Sequence, residues 1–346
     1  MSPFWTRARH LDRAPFLSAR AAIVRGVRDW FHGQGFTEVE PQALALSPGA
    51  EVHVDAFESD GRYLHTSPEF AMKKLLAAGE EKIFFLGKCW RRGETSPLHA
   101  EEFTMLEWYR AGADYELVMN DCVELARVTA RAASASTLRW RERECNPFFE
   151  PLIWQAQEAF KYFAGIDLAA TLVADGPANR DALAAQVNDN PDFQDRVAPI
   201  RADESDTWSD IFSKLVTLDV EPQLGWDKLA FLTEYPAPQA ALARRCAHDA
   251  RFAERFELYA CGVELANGFG ELTDPVEQRA RLIEAMAEKQ KRYGKSWPID
   301  EDFLAALAYM PPASGAALGL DRLVMLASGA RHINDVLWSP IPKPPA

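Results

Sequence analysis

Apolar positions recur at helical spacing across residues 17–34: Leu17, Ala21, Val24, Val27, Trp30 and Phe31 share one side, and Gly33 and Gly35 end the pattern. The spacing predicts an amphipathic helix. Residues 36–40 then read as a strand closed by Pro41, and a strand pair is expected around 52–57 and 63–66. Ser67-Pro68-Glu69 opens a short helix over 70–78, with proline in the first turn, where a missing N–H does no harm. Two apolar runs between 83 and 109 predict a hairpin whose first strand ends in Arg91-Arg92. On its return strand the two-residue period sets Phe103, Met105, Glu107 and Tyr109 on one face and Thr104, Leu106 and Trp108 on the other. A carboxylate and a phenol inside an apolar strand need partners to offset desolvation, so this face reads either as a floor for ligands or as an internally paired core face.

Further on, the pattern predicts an amphipathic helix over 115–134, and a mostly helical stretch over 151–232 that is expected to be an inserted subdomain. A strand-rich segment over 256–269, a charged helix over 275–293 with a solvated face, and a glycine-rich strand that turns into a helix at Asp321 follow. Lys73 and Lys74 read as a solvated helix face, and His65 and His248 as structural histidines.

Composition narrows the class. With 346 residues, 48% of them hydrophobic, the chain has enough apolar content for one large domain or two modest ones. Its five cysteines are scattered with no Cys-x-x-Cys pair, which speaks against a disulfide framework or a zinc site and for a reducing cytoplasm. No apolar run reaches the ~18 residues of a membrane span, and the first twenty residues have no apolar signal core, so neither export nor anchoring is expected. A net charge of −13 does not suit a protein that grips long nucleic acid by its phosphates. Arg7, Arg9, His10, Arg13 and Arg20 read as a solvated basic arm, and Arg139, Arg141 and Arg143 as a solvated strand edge.

Four features together suggest the chemistry: Arg91 at a strand end, Phe103 across the hairpin, Glu264 and Glu271 with Asn267 between them, and Arg322 in the first turn of the last helix. Arginine forks suit phosphate oxygens, and carboxylates suit Mg²⁺, which keeps water and phosphate as further ligands. The set fits a nucleoside triphosphate with a divalent metal. Strict alternation sets Glu264 on the face opposite Asn267 and Glu271, so a shared site requires a bulge, which Gly268 and Gly270 could supply.

Arg91 with Glu94 and Glu102-Phe103, and Gly319-Leu-Asp-Arg322-Leu, resemble motifs 2 and 3 of class II aminoacyl-tRNA synthetases; the first helix and the strand ending at Pro41 resemble motif 1. Thr66-Ser-Pro-Glu69, Glu102-Phe-Thr-Met-Leu-Glu-Trp-Tyr109 and Glu264-Leu-Ala-Asn-Gly-Phe-Gly-Glu271 are similar to the lysyl subclass. Motif 1 starts too early to leave room for the anticodon-binding OB-fold domain of a lysyl-tRNA synthetase, which needs on the order of a hundred residues. The chain therefore resembles the freestanding family of elongation factor P–(R)-β-lysine ligases. That resemblance implies an α+β fold, an antiparallel sheet flanked by helices with no OB-fold domain. The expected organisation is an arm over 1–16, a catalytic domain over 17–340 carrying the 151–232 insertion, and a tail over 341–346.

The resemblance also implies an ATP- and Mg²⁺-dependent ligase that activates (R)-β-lysine or lysine as an adenylate and passes it to a lysine of elongation factor P. It implies no tRNA or membrane partner, and a homodimer formed through the motif 1 helix. By position, Arg91 would neutralise the α-phosphate and Arg322 clamp the γ-phosphate. Glu94, His99, Glu102, Phe103 and Glu264 would complete the ATP site, and Glu264 and Glu271 would hold Mg²⁺. Ser67, Glu69, Glu107, Tyr109, Asn267, Glu271 and Ala317 would receive the lysine-like substrate. The sequence departs from the tRNA enzymes at Arg92-Gly93, at Ala100-Glu101 and at Ala317, where lysyl-tRNA synthetases have glycine. An added methyl changes discrimination by only ~1–3 kcal/mol, so α- and β-lysine both stay admissible. Two other readings stand beside this one: a ligase that charges tRNA or another protein, and a silent synthetase-like regulator that binds an amino acid.

Overall fold

The computed structural model describes residues 3–174, 176–196 and 198–341. Its centre is an eight-stranded sheet. In chain order the strands are β1 (Thr37–Glu38), β2 (Lys82–Trp90), β3 (Glu102–Ala111), β4 (Leu152–Gln155), β5 (Ala230–Pro236), β6 (Phe252–Ala260), β7 (Val263–Gly270) and β8 (Ala313–Gly319). They lie side by side as β1-β2-β3-β8-β7-β6-β5-β4, antiparallel except for the β1/β2 and β5/β4 pairs at the two edges. The helices that cover the sheet are α1 (Arg7–Gly33), α2 (Glu69–Ala77), α3 (Tyr115–Ala132), α4 (Pro275–Tyr293), α5 (Glu301–Leu307) and α6 (Leu320–Ser328). None of the described helices is long and apolar enough to cross a membrane.

Alternation along β3 divides the core as its residue types require. Leu106 and Trp108 face the back, where Ile23, Val27 and Phe31 of α1, Val118 and Leu125 of α3 and Leu323 of α6 bury them. Met105 and Tyr109 face the front, against Met72 and Leu76 of α2 and Phe303 and Leu304 of α5. Phe70 and Phe303 stack there at 4.1 Å between ring centroids. The segment expected as a helical insertion begins and ends with strands of the main sheet, β4 and β5. Its helices between them build a separate core from Phe160, Leu183, Trp208, Phe212 and Leu215.

Several expectations are corrected. The first helix starts at Arg7, not at residue 17, and Arg9, Arg13 and Arg20 of the supposed solvated arm hold it in place. Arg13 is buried and donates to the Leu337 carbonyl; Arg20 is buried and donates to Asp321 and, at 2.8 Å, to Thr104 Oγ1. A run of charges reads as solvated only until its acceptors are in view, and Leu337 and Asp321 lie more than 300 residues away in sequence. Of the expected tail, residues 342–346 lie outside the described residues. Residues 52–57 do not form a strand, because Lys289 Nζ takes the carbonyls of Glu51, Val52 and Val54 at 3.3, 2.8 and 2.6 Å. The short pairing falls instead on Glu58–Ser59 with Arg62–Leu64. Lys73 and Lys74 are not a solvated face: Lys73 is fully buried between two carboxylates, and Lys74 pairs with Asp300 and Asp302 at 3.0 and 2.8 Å.

Candidate active site

The front faces of β3, β8 and β7 form one continuous floor. Glu107 lies opposite Ala317 and Ala317 opposite Asn267; Tyr109 lies opposite Gly315 and Gly315 opposite Phe269. The bulge that aligns Glu264 with Asn267 is present, but it falls at Leu265: Leu258 pairs with Ala266 while Tyr259 pairs with Glu264. Gly268 serves a different purpose, since a Cβ there would lie 2.4 Å from the Phe256 ring and 2.8 Å from the Gly315 carbonyl. Above the floor is a cavity of about 870 Å³.

One end of the cavity is cationic and aromatic. The Arg91 guanidinium lies 5.3 Å from the centroid of the Phe103 ring, and its Nε reaches the Thr66 carbonyl at 3.4 Å. Arg322 donates from Nη1 to the Glu264 carbonyl at 2.9 Å and pairs with its carboxylate at 3.3 Å, while Nη2 donates to His99 Nε2. Arginine has no acceptor atom, so His99 accepts at Nε2 and its Nδ1–H donates to Ser96 Oγ, 2.7 Å away. Burial first, and then the charges of Arg322 and Arg91, lower the His99 pKa to about 4 and keep the ring neutral. Glu94 lines the same end. Glu102 does not: it faces away from the cavity, accepts from Trp90 Nε1 at 3.2 Å and pairs with Lys88 at 3.4 Å.

Ser67, Glu69 and Asn267 line the other end, and behind them lies a buried acidic cluster. Glu107 is buried and accepts from Ser67 Oγ at 2.6 Å and Tyr109 Oη at 2.8 Å. Burial, and secondarily the charge of Glu69, push its carboxyl up to about 8. Lys73 Nζ lies 2.5 Å from Glu69 and 2.6 Å from Glu271. Burial alone would lower the Lys73 pKa, but Glu271 and Glu69 outweigh it and hold the ammonium protonated. Asn267 contributes a buried Oδ1 with no partner among the described residues. An orphan acceptor beside three carboxyl groups and one ammonium leaves unmet demand for cationic donors.

The expected metal pair is overturned. Glu264 and Glu271 are separated along β7 by about six strand steps, or ~20 Å, and one ion with ligands at ~2.1 Å cannot bridge that distance. Glu271 is sealed against Lys73 at the amine end. The carboxylate that the sheet does set near Glu264 is Glu257 on β6, and its charge, after burial, raises the Glu264 carboxyl. Glu257 also stands seven residues from Glu264, but across the two-residue turn Cys261-Gly262, whose φ angles of 57° and 71° fold the two strands together. That Cys-Gly pair was the available signal. Two hard oxygen donors, one of them Glu264 with its ionisation opposed by burial and by the charge of Glu257, suit a divalent cation.

This arrangement is that of a class II synthetase: the family model "tRNA synthetases class II (D, K and N)" matches residues 4–343, and the chain belongs to that family of ATP-dependent ligases. Similarity narrows further within it. An elongation factor P--(R)-beta-lysine ligase of Yersinia pestis (strain Pestoides F) is 37% identical over 339 residues, 94% of each chain. The enzyme of the same name from Yersinia pseudotuberculosis serotype O:1b (strain IP 31758) matches equally.

Proposed function

We propose that this chain activates (R)-β-lysine, or lysine, with ATP as an acyl-adenylate and transfers it to a lysine side chain of elongation factor P. The observation that carries the reading is the polarity of one site, with arginines and Phe103 at one end of the cavity and, at the other, Glu69 and Asn267 on its wall with Glu107 and Glu271 buried behind them. A diamino acid joined to a nucleotide has the complementary charge distribution.

Adenine stacks on Phe103, and Arg91 beside it neutralises the α-phosphate as the substrate carboxylate attacks in line and pyrophosphate leaves. Arg322, oriented by His99 and the Glu264 carbonyl, holds the γ-phosphate. Glu264 and Glu257 would hold Mg²⁺, which supplies charge neutralisation at the leaving phosphates. Glu69, Glu107 and Asn267 receive the amino groups, with Ser67 and Tyr109 fixing the Glu107 carboxylate. Glu271 acts behind them through Lys73. Catalysis is positioning and electrostatics, with no covalent enzyme intermediate. The Ala317 methyl lies on the floor between Glu107 and Asn267, where it meets the carbon bearing the substrate's amine. Two copies associate through the motif 1 region, α1 and β1. ATP–pyrophosphate exchange dependent on β-lysine or lysine tests the first half-reaction, and its absence with both would contradict the reading.

A further inference from the structure

A second group of ligand-type side chains lies away from the ATP and substrate cavity, where β5 leaves the main sheet. Glu234, Cys246 and His248 bring a carboxylate oxygen, a thiol and a ring nitrogen within 4.8 Å of one another. These are the three donor types that zinc takes, and three protein ligands plus water is a common open zinc site.

Two of the donors are rigidly held. Glu234 is the bulged residue of β5, between Thr233 and Tyr235, and has a left-handed backbone (φ 54°) that turns its carboxylate out of the strand register. A non-glycine residue held there is strained, and the bulge sets it apart from the ladder of its neighbours. Cys246 is buried, and its N–H is fixed to the Phe252 carbonyl at 2.9 Å, next to the Arg245/Ala253 bridge. His248, two residues on, is exposed, and its Nε2 lies 3.1 Å from Glu234 Oε2.

The surroundings suit a cation. The neighbouring carboxylates Glu254 and Asp249 are held by Arg244 and Arg251, whereas among the described residues Glu234 has only His248 as an ionic partner. Gln155 Nε2 donates to the other oxygen of Glu234 at 3.1 Å, the outer hydrogen bond that orients a ligating carboxylate. A tetrahedral ion with ligands at ~2.0–2.3 Å needs donor atoms closer than ~4 Å, and rotation of the exposed His248 ring supplies that adjustment while leaving an entry path.

We propose that Glu234, Cys246 and His248 form a binding site for a zinc-class divalent ion that ties the end of β5 to the 244–248 loop. On binding, the Cys246 S–H bond breaks, its proton passes to buffer and the sulfur bonds the metal, with no change of oxidation state. The same segment runs through Pro238, Ala241 and Leu242 on the cavity wall, so the ion would brace that wall without entering the reaction.

The test is Co²⁺ titration of the chelator-treated full-length protein, followed by absorption. One equivalent should produce a thiolate-to-cobalt charge-transfer band that Zn²⁺ abolishes, that is lost in Cys246→Ser, and that appears in His248→Ala only at roughly tenfold higher Co²⁺ or more. Co²⁺ in the all-oxygen site at Glu264 cannot give a thiolate band. Absence of the band, its persistence in Cys246→Ser, or unchanged affinity in the surface variant His248→Ala would each overturn the proposal.

Discussion

Lys73 and Glu271 meet at 2.6 Å with both side chains sealed from solvent, one on the helix that opens the substrate end and the other just past the end of β7. Removing one member of a buried ion pair leaves an uncompensated charge and typically costs about 3–5 kcal/mol. Lys73→Met is therefore expected to lower unfolding stability by about that much in urea denaturation. Lys73→Met combined with Glu271→Gln should recover a large part of it; a double variant no better than the single one would show that the two do not act as a pair.

At the opposite end, Arg322 is held by His99 and the Glu264 carbonyl. In the proposed role, each charge-assisted hydrogen bond it would give to phosphate is worth about 1.5–3 kcal/mol. Arg322→Ala should lower pyrophosphate exchange by about 10²–10⁴-fold, and near-normal exchange would remove it from the ATP site. Because the neighbouring arginines and burial keep His99 neutral, the rate should show no inflection near pH 6.5 that His99→Gln abolishes.

The Glu107 carboxyl, pushed up to about 8, sets a pH dependence of definite sign. Between the unfolded value near ~4.5 and 8, the folded protein binds the extra proton, so this group's contribution to stability falls as pH rises through that window. An ammonium ligand favours the ionised form and offsets the loss. The thermal stabilisation given by saturating β-lysine should therefore increase from pH 6.5 to 8.5, and Glu107→Gln should flatten that increase.

Glu257 and Glu271 both stand seven residues from Glu264 in sequence, on opposite sides, and only Glu257 lies near it in the sheet. Glu257→Gln should raise the Mg²⁺ concentration needed for half-maximal exchange by tenfold or more. Glu271→Gln should instead raise the KM for the amino acid and leave the Mg²⁺ requirement unchanged.

Much of the site was legible before the fold because it rests on periodicity. Phe103, Glu107 and Tyr109 share a strand face, and Arg322 opens a helix after a glycine-rich strand; both follow from local pattern. The rest depends on distant contacts. Lys73 on an amphipathic helix looks like any solvated lysine until β7 brings Glu271 to it, and Arg20 looks like part of a basic tail until Asp321 arrives from the other end of the chain. The face of Glu264 turned on a single bulged residue, Leu265, which has no side-chain signature; Gly268 instead admits the Phe256 ring and the Gly315 carbonyl, and Gly270 the paired Arg244 and Glu254 side chains.

The central claim is tested most directly by incubating the protein with ATP, Mg²⁺, (R)-β-lysine and elongation factor P, then measuring the factor's intact mass, with tRNA in a parallel reaction. The account predicts a gain of one β-lysyl residue on the factor, lost with Arg322→Ala, and no acylated tRNA. An unchanged factor beside aminoacylated tRNA would contradict it.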